Sequence, residues 1–228
     1  MDLLYFLEGV KILKVLVVGA NGQIGKHLVA MMQNSEGYKA KAMIRNQEQA
    51  AFFEKLGAET VVVDLEQDIE SIAKAAEGVD AVVFTAGSGA HTGKDKTIMV
   101  DLDGAVKTIE AAKLAGVKRF IMISSFDTRR EAILSAPPSF APYVAAKHYA
   151  DEWLKRSDLD YTIIHPGLLT NDQGTGKVTA ASEVDRGEIP REDVASVIMT
   201  TLGNDTTIGK QFQIVTGNTP IIEAVVSI

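Results

Sequence analysis

Lys14-Val15-Leu16-Val17-Val18-Gly19-Ala20-Asn21-Gly22-Gln23-Ile24-Gly25 decides how this chain folds. Val15 to Val18 is an unbroken apolar run, which suits a central parallel strand covered on both faces. Three glycines follow at a spacing of three, G-x-x-G-x-x-G. Gly19 permits a tight turn, Gly22 lets backbone approach a phosphate, and Gly25 lets a helix pack close on the strand. The helix that opens at Gln23 presents free N–H groups and a positive dipole end, the chemistry that receives a pyrophosphate. The turn residues Gly19, Asn21, Gly22, Gln23, Ile24 and Gly25 are therefore expected to bind a dinucleotide.

The pattern around this unit repeats its logic. Apolar strand-like runs are read at Lys14–Val18, Lys39–Ile44, Thr60–Asp64, Ala81–Thr85, Phe120–Ser124, Tyr161–His165 and Gln211–Val215. Helix-period segments lie between them at Gln23–Gln33, Gln47–Leu56, Ile69–Ala76, Lys96–Ala115, Tyr143–Arg156 and Arg191–Leu202. Strands alternating with helices predict βαβ units and a doubly wound, mostly parallel α/β sheet. Residues 14–228 read as one nucleotide-binding domain, with 166–228 supplying a small C-terminal extension on the substrate side. Residues 1–13 read as an extension, either a short packed segment or an accident of the start site. Two stretches, Phe126–Pro142 and Pro166–Pro190, read as long irregular loops after strand ends, where open α/β sheets bind ligands.

Composition narrows the function. The 228 residues carry a net charge of -7 and no cysteine. An acidic chain does not neutralise nucleic-acid phosphates, and one without thiols has no disulfide frame or thiolate metal site. The four histidines show no metal-ligand spacing. No run is long and apolar enough for a membrane span, and the start lacks the features of a secretory signal. The expected location is cytoplasmic and the expected ligand a small molecule, with neither nucleic acid nor membrane as partner.

The second strand predicts which dinucleotide. An acid about 20 residues past the glycines would hold the ribose hydroxyls of NAD. Arg45 stands there instead, and a guanidinium forks onto a phosphate. The expected cofactor is NADP. Asp64 and Leu65 are placed to flank the adenine, although a turn cap accounts for Asp64 equally well. Thr85-Ala86-Gly87 ends the fourth strand in small residues, so the middle of the cofactor is expected to pass over it. The 87–93 loop, which holds His91, is placed to cover the pyrophosphate.

Tyr143 and Lys147 are four apart on one predicted helix face. A phenol is a poor base at neutral pH, and a nearby ammonium stabilises its phenolate. The pair fits acid–base work on an alcohol or carbonyl, with Lys147 also in reach of a ribose. Ser124 and Ser125 end the fifth strand, and either hydroxyl fits the role of holding a substrate oxygen. His165 and Pro166 are expected beside the nicotinamide, with His165 read as a strand-end residue slightly ahead of a catalytic one. Trp153 reads as a core anchor, and Glu192 and Asp193 as dipole-favoured acids in a first turn.

Together, the glycine turn, Arg45, Asp64-Leu65, Ser124-Ser125, Tyr143-x-x-x-Lys147 and His165-Pro166-Gly167 resemble the short-chain dehydrogenase/reductase superfamily. Val100-Asp101-Leu102-Asp103-Gly104-Ala105, Ala111 to Phe120, and Pro190 to Ala195 are similar to its atypical branch of bacterial NAD(P)-binding proteins, the epimerase/dehydratase and NmrA-like members. The resemblance implies a Rossmann sheet with NADP across its C-terminal edge. It implies Tyr143 as acid/base, Lys147 as its partner and Ser124 as the substrate-oxygen donor. The implied activity is an NADP-dependent oxidoreductase of a small carbonyl or hydroxyl compound. The alternative is an NADP-binding sensor of NmrA type that acts through a protein partner. Only 62 residues follow Pro166, which points away from the larger substrate domain of the superfamily's sugar-nucleotide epimerases.

Overall fold

In a computed structural model that describes residues 12–89 and 91–228, the opening apolar run forms β1 (Leu13–Val18), with its last four residues buried. The expected 1–13 extension lies outside the described residues except for Ile12 and Leu13, and Leu13 already belongs to β1. The chain continues through α1 (Gln23–Gln33), β2 (Tyr38–Ile44), α2 (Ala50–Lys55), β3 (Glu59–Val62), α3 (Ile69–Ala76), β4 (Ala81–Phe84) and α4 (Lys94–Lys96). Next come α5 (Gly104–Leu114), β5 (Arg119–Ile123), α6 (Arg130–Ser135), α7 (Ala141–Lys155) and β6 (Asp160–Pro166). The C-terminal part holds β7 (Leu168–Thr170), β8 (Lys177–Ala181), β9 (Glu188–Pro190), α8 (Arg191–Leu202), β10 (Lys210–Thr216), β11 (Thr219–Pro220) and α9 (Ile221–Val226).

The main sheet has the order β11-β8-β10-β6-β5-β4-β1-β2-β3. From β3 to β10 every pairing is parallel, and β8 joins β10 antiparallel. β1 pairs with β2 on one side and β4 on the other. The strand order reverses there, which opens a crevice at the C-terminal ends of β1 and β4. This is the doubly wound α/β fold that the alternation predicts.

Successive strand residues point to opposite faces, and β1 divides its side chains accordingly. Val15 and Val17 join a core with Leu28 and Met32 of α1, Phe53 of α2 and Val197 and Ile198 of α8. Leu16 and Val18 join the opposite core with Ile72 of α3, Ile109 of α5 and Leu154 of α7.

The structure departs from the sequence reading in four places. The expected helix Gln47–Leu56 begins as a 3-10 turn, Gln47–Gln49, before α2. The expected helix Lys96–Ala115 starts at Lys94 and contains a π-helical segment, Thr97–Asp103, ahead of α5. The stretch 126–142 contains α6. The stretch 166–190 is not irregular throughout: it contains β7, β8 and β9. These short strands exist through distant partners, β8 on β10 and β7 on β9, which no local pattern encodes.

Candidate functional site

The glycine turn and the end of β4 meet at the crevice. Gly19 adopts φ +82°, and a Cβ on it would come within 2.6 Å of the Ala86 backbone. The two turns therefore touch, as they can only without a side chain between them. A Cβ on Gly25 would stand 2.5 Å from the Gly19 carbonyl oxygen, so α1 rests directly on the turn. Gly22 caps α1 with no side-chain hydrogen bond, and the first turn holds no acid. The leading N–H groups of α1 lack intrahelical partners by geometry. Asn21 is half-buried beside them, Gln23 exposed and Ile24 buried.

The remaining cofactor candidates divide in two. Arg45 is exposed at the end of β2, and among the described residues its guanidinium has no protein partner; only its backbone N–H is engaged, on Gln49 Oε1 at 3.0 Å. Gly87 is exposed at the crevice and Pro166 is buried at the end of β6. Thr85, by contrast, donates its hydroxyl to the Val18 carbonyl at 3.0 Å. Asp64 accepts the Glu66 N–H at 3.0 Å and so closes a turn, while Leu65 packs on Gly104 of α5. Asp101, in the π segment, is buried and accepts the Ser88 N–H at 3.1 Å beside Gly87. Its signals in the sequence are an acid inside a helical apolar run and its place in the family-like stretch from Val100 to Ala105. In the 87–93 loop Ala90 lies outside the described residues, and His91 is exposed.

α7 presents Tyr143 and Lys147 one turn apart. Lys147 is buried and donates from Nζ to the Ile123 carbonyl at 2.8 Å. Burial pulls its pKa below the usual lysine range, and Asp151 and Asp101 oppose that pull. Tyr143 is half-buried. Its pKa is pushed up to about 12, first by desolvation and then by Asp101, while the neighbouring Ser125 side chain works against the rise. The phenol is neutral at physiological pH and able to donate.

The structure brings Ser125, not Ser124, to this tyrosine. Ser124 is buried and donates to Asp151 Oδ2 at 2.7 Å, where Thr128 Oγ1 also donates at 2.8 Å. Consecutive residues leaving a strand point to opposite sides, so only one of the two serines reaches Tyr143. Asp151 is a site residue that the sequence reading overlooked; its signal is its place one turn past Lys147. Its second oxygen, Oδ1, is buried without a partner among the described residues. Phe126, the residue after Ser125, lines a cavity of about 780 Å3 together with Val184, Arg186, Gln213 and Val215. Trp153, read as a core anchor, is half exposed and donates to Glu110 at 2.9 Å.

A family model described as NAD(P)H-binding matches residues 19–205. The chain belongs to this NAD(P)H-binding family. A Bacillus subtilis protein described as "Uncharacterized sugar epimerase YhfK" is 49% identical over 212 residues, spanning 93% of this chain and 98% of that protein. A solved structure from Bacillus halodurans, named as an NAD-dependent epimerase/dehydratase, superposes with a TM-score of 0.89 at 45% identity, covering 95% of this chain and 100% of that one. The Lactococcus lactis oxidoreductase YlbE superposes with a TM-score of 0.86 at 34% identity, covering 95% and 96%.

The residues of this NAD(P)H-binding chain fit the family's ligand. The touching glycine turns leave a cradle that a Cβ would fill, and the uncapped start of α1 faces it. Lys147 has three donors and, among the described residues, spends one on Ile123, a capacity that suits a ligand rich in hydroxyls. Among the described residues, no three His, Asp or Glu side chains are grouped for a metal ion. No helix among them is long and apolar enough to cross a membrane.

Proposed function

We propose that this chain is an NADP-dependent oxidoreductase of a small carbonyl or hydroxyl compound. The observation that carries the reading is Tyr143, beside Ser125 and one helical turn from buried Lys147, at the strand edge where the uncapped α1 also begins. A nicotinamide bound there supplies or takes up hydride. The neutral Tyr143 phenol gives its proton to the substrate oxygen as a carbonyl is reduced. Ser125 holds that oxygen in line. Lys147 binds the ribose and supplies positive charge near the phenol as it loses its proton. Arg45, whose guanidinium is unengaged among the described residues, receives the 2′-phosphate. Asn21, Gly22, Gln23 and Ile24 hold the pyrophosphate, and Ala86, Gly87 and Pro166 flank the rest of the cofactor. Thr85, Asp64 and Leu65 support the crevice from behind. Ser125 takes the substrate-oxygen role that family resemblance assigns to Ser124.

The test is NADPH oxidation across a set of small aldehydes, ketones and enones, followed by Tyr143→Phe. The variant should lose about 10²–10⁴ of turnover, the share of a positioned proton donor, with NADPH affinity within about twofold. Full activity in Tyr143→Phe would overturn the mechanism. NADPH binding with no turnover of any compound, coupled to a change in association with another protein, would favour the regulatory alternative.

A further inference from the structure

Among the described residues, the loop that carries Ser125 leaves β5 without a backbone ladder. The Ser124 N–H still bonds the Ile164 carbonyl at 2.9 Å, and the next backbone–backbone bond joins Ala132 to Arg129. Between them the carbonyls are held by side chains from other elements. His165 Nδ1 lies 2.6 Å from the Ser125 oxygen, Gln213 Nε2 donates to the Phe126 oxygen at 2.8 Å, and His148 Nδ1 lies 2.7 Å from the Thr128 oxygen. A carbonyl only accepts, so His165 carries its hydrogen on Nδ1.

His165 of β6 and Gln213 of β10 are register partners. Two adjacent strand residues thus seize two consecutive carbonyls of one loop. Gln213 also reaches the other way: its Oε1 accepts the Val184 N–H at 2.8 Å, in the segment joining β8 to β9. A second tie runs parallel, since Arg129 bonds both Asp127 at 2.8 Å and Glu183 at 2.6 Å. That tie is exposed and therefore weak. The Gln213 tie lies along the wall of the 780 Å3 cavity, which Phe126 and Val184 also line.

We propose that His165 and Gln213 are positioning residues acting as one clamp, in which His165 aims Ser125 at Tyr143, Gln213 fastens the 182–187 segment to the same loop, and the cavity that Phe126, Val184 and Gln213 line seats the substrate. A loop without its own ladder cannot hold a hydroxyl to the tolerance that catalysis needs. The sheet is rigid, and these two side chains carry its rigidity to the loop.

The kinetic part rests on the oxidoreductase reading; the spectroscopic part does not. Asn places its side-chain N–H where histidine has Nδ1, and Gln places it where histidine has Nε2. His165→Asn should therefore retain the bond to Ser125, and His165→Gln should lose it. The five tyrosines of the full chain are labelled with 13C at Cζ, and Tyr143→Phe assigns the resonance. Ser125→Ala and His165→Gln should move the Tyr143 signal in the same direction, while His165→Asn leaves it at the wild-type position. If Ser125→Ala moves the signal and His165→Gln does not, or if neither moves it, the clamp is overturned. Should His165→Gln not fold, His165→Ala serves in its place against the same Asn control.

With a carbonyl compound from the screen, His165→Gln should lower kcat about tenfold or more, the scale of a small misplacement at the reacting atoms, with NADPH affinity unchanged. Gln213→Leu should raise KM for the carbonyl compound more than it lowers kcat. Equal loss in His165→Asn and His165→Gln, or loss of NADPH affinity in either, would mean a merely structural role. If nothing is reduced, the oxidoreductase reading fails, and the tyrosine signal still decides whether the clamp exists.

Discussion

Arg45 is the residue on which the proposed preference for NADP rests. It follows the last residue of β2, exposed, with its guanidinium unengaged among the described residues. A carboxylate in that place would accept the two ribose hydroxyls of NAD; a guanidinium instead pairs with a phosphate through charge-assisted bonds. Arg45→Ala should weaken NADPH binding by about tenfold or more while leaving NADH binding as it was. Calorimetry with both cofactors checks this, and an equal loss for the two would remove Arg45 from the phosphate site. At this scale the sequence placed Tyr143 and Lys147 one helical turn apart and Arg45 at a strand end, because helix spacing and strand-end position are local properties. It was not legible for Ser124 against Ser125. The choice depends on Asp151, 27 residues on, which draws Ser124 inward at 2.7 Å. Nor was it legible for His165, whose partner is a loop carbonyl 40 residues away.

The element proposed to serve the cofactor most directly is α1. Its expected limits, Gln23–Gln33, coincide with those observed, as do those of α3 and α8. Glycine demands and apolar period mark such helices within the chain itself. The three glycines nevertheless have separable tasks. Gly22 has extended φ and one close neighbour, with a Cβ site 3.1 Å from the Gly19 oxygen. A Cβ on Gly25 would stand 2.5 and 2.6 Å from the Gly19 and Ala20 carbonyl oxygens. Gly22→Val should therefore abolish NADPH binding with the fold largely kept, because its side chain fills the pyrophosphate cradle. Gly25→Val should unseat α1 from β1 and cost about 1–3 kcal/mol or more of stability. Thermal unfolding alongside NADPH titration separates them. Normal binding by Gly22→Val would make that glycine structural. The short strands β7, β8 and β9 form the contrast: each has only a few residues and owes its form to a partner strand.

Across the whole molecule, the C-terminal strands extend the sheet on the side of the proposed substrate site, and a buried acid secures their entry. Asp193, in the first turn of α8, is buried and accepts the Thr175 N–H at 2.9 Å, the Thr175 hydroxyl at 3.0 Å and the Gly176 N–H at 2.9 Å. Glu192 adds the Gly174 N–H at 2.8 Å. The sequence reading gave this acidic pair only a dipole role, since the loop that it holds lies 17 to 18 residues upstream. Removing the carboxylate strands several donors. Asp193→Ala should cost about 3 kcal/mol, from hydrogen bonds to a charged group, and lower Tm by about 6–12 °C for a chain of this size. A shift under about 2 °C would show that the loop finds other partners. Asp193→Asn, which keeps an acceptor, should fall between.

The sequence by itself determined the doubly wound sheet, the glycine turn at its switch point and the Tyr143–Lys147 pair. Each depends on spacing of 2, 3 or 4 residues, or on a glycine that its own backbone requires. The tertiary structure alone decided which serine meets Tyr143, what holds the loop that carries it, and that Asp101 and Asp151 surround the pair. Those outcomes depend on which distant side chain arrives at a buried acceptor. A buried polar group must find a partner, and only the packed fold determines which partner is within reach.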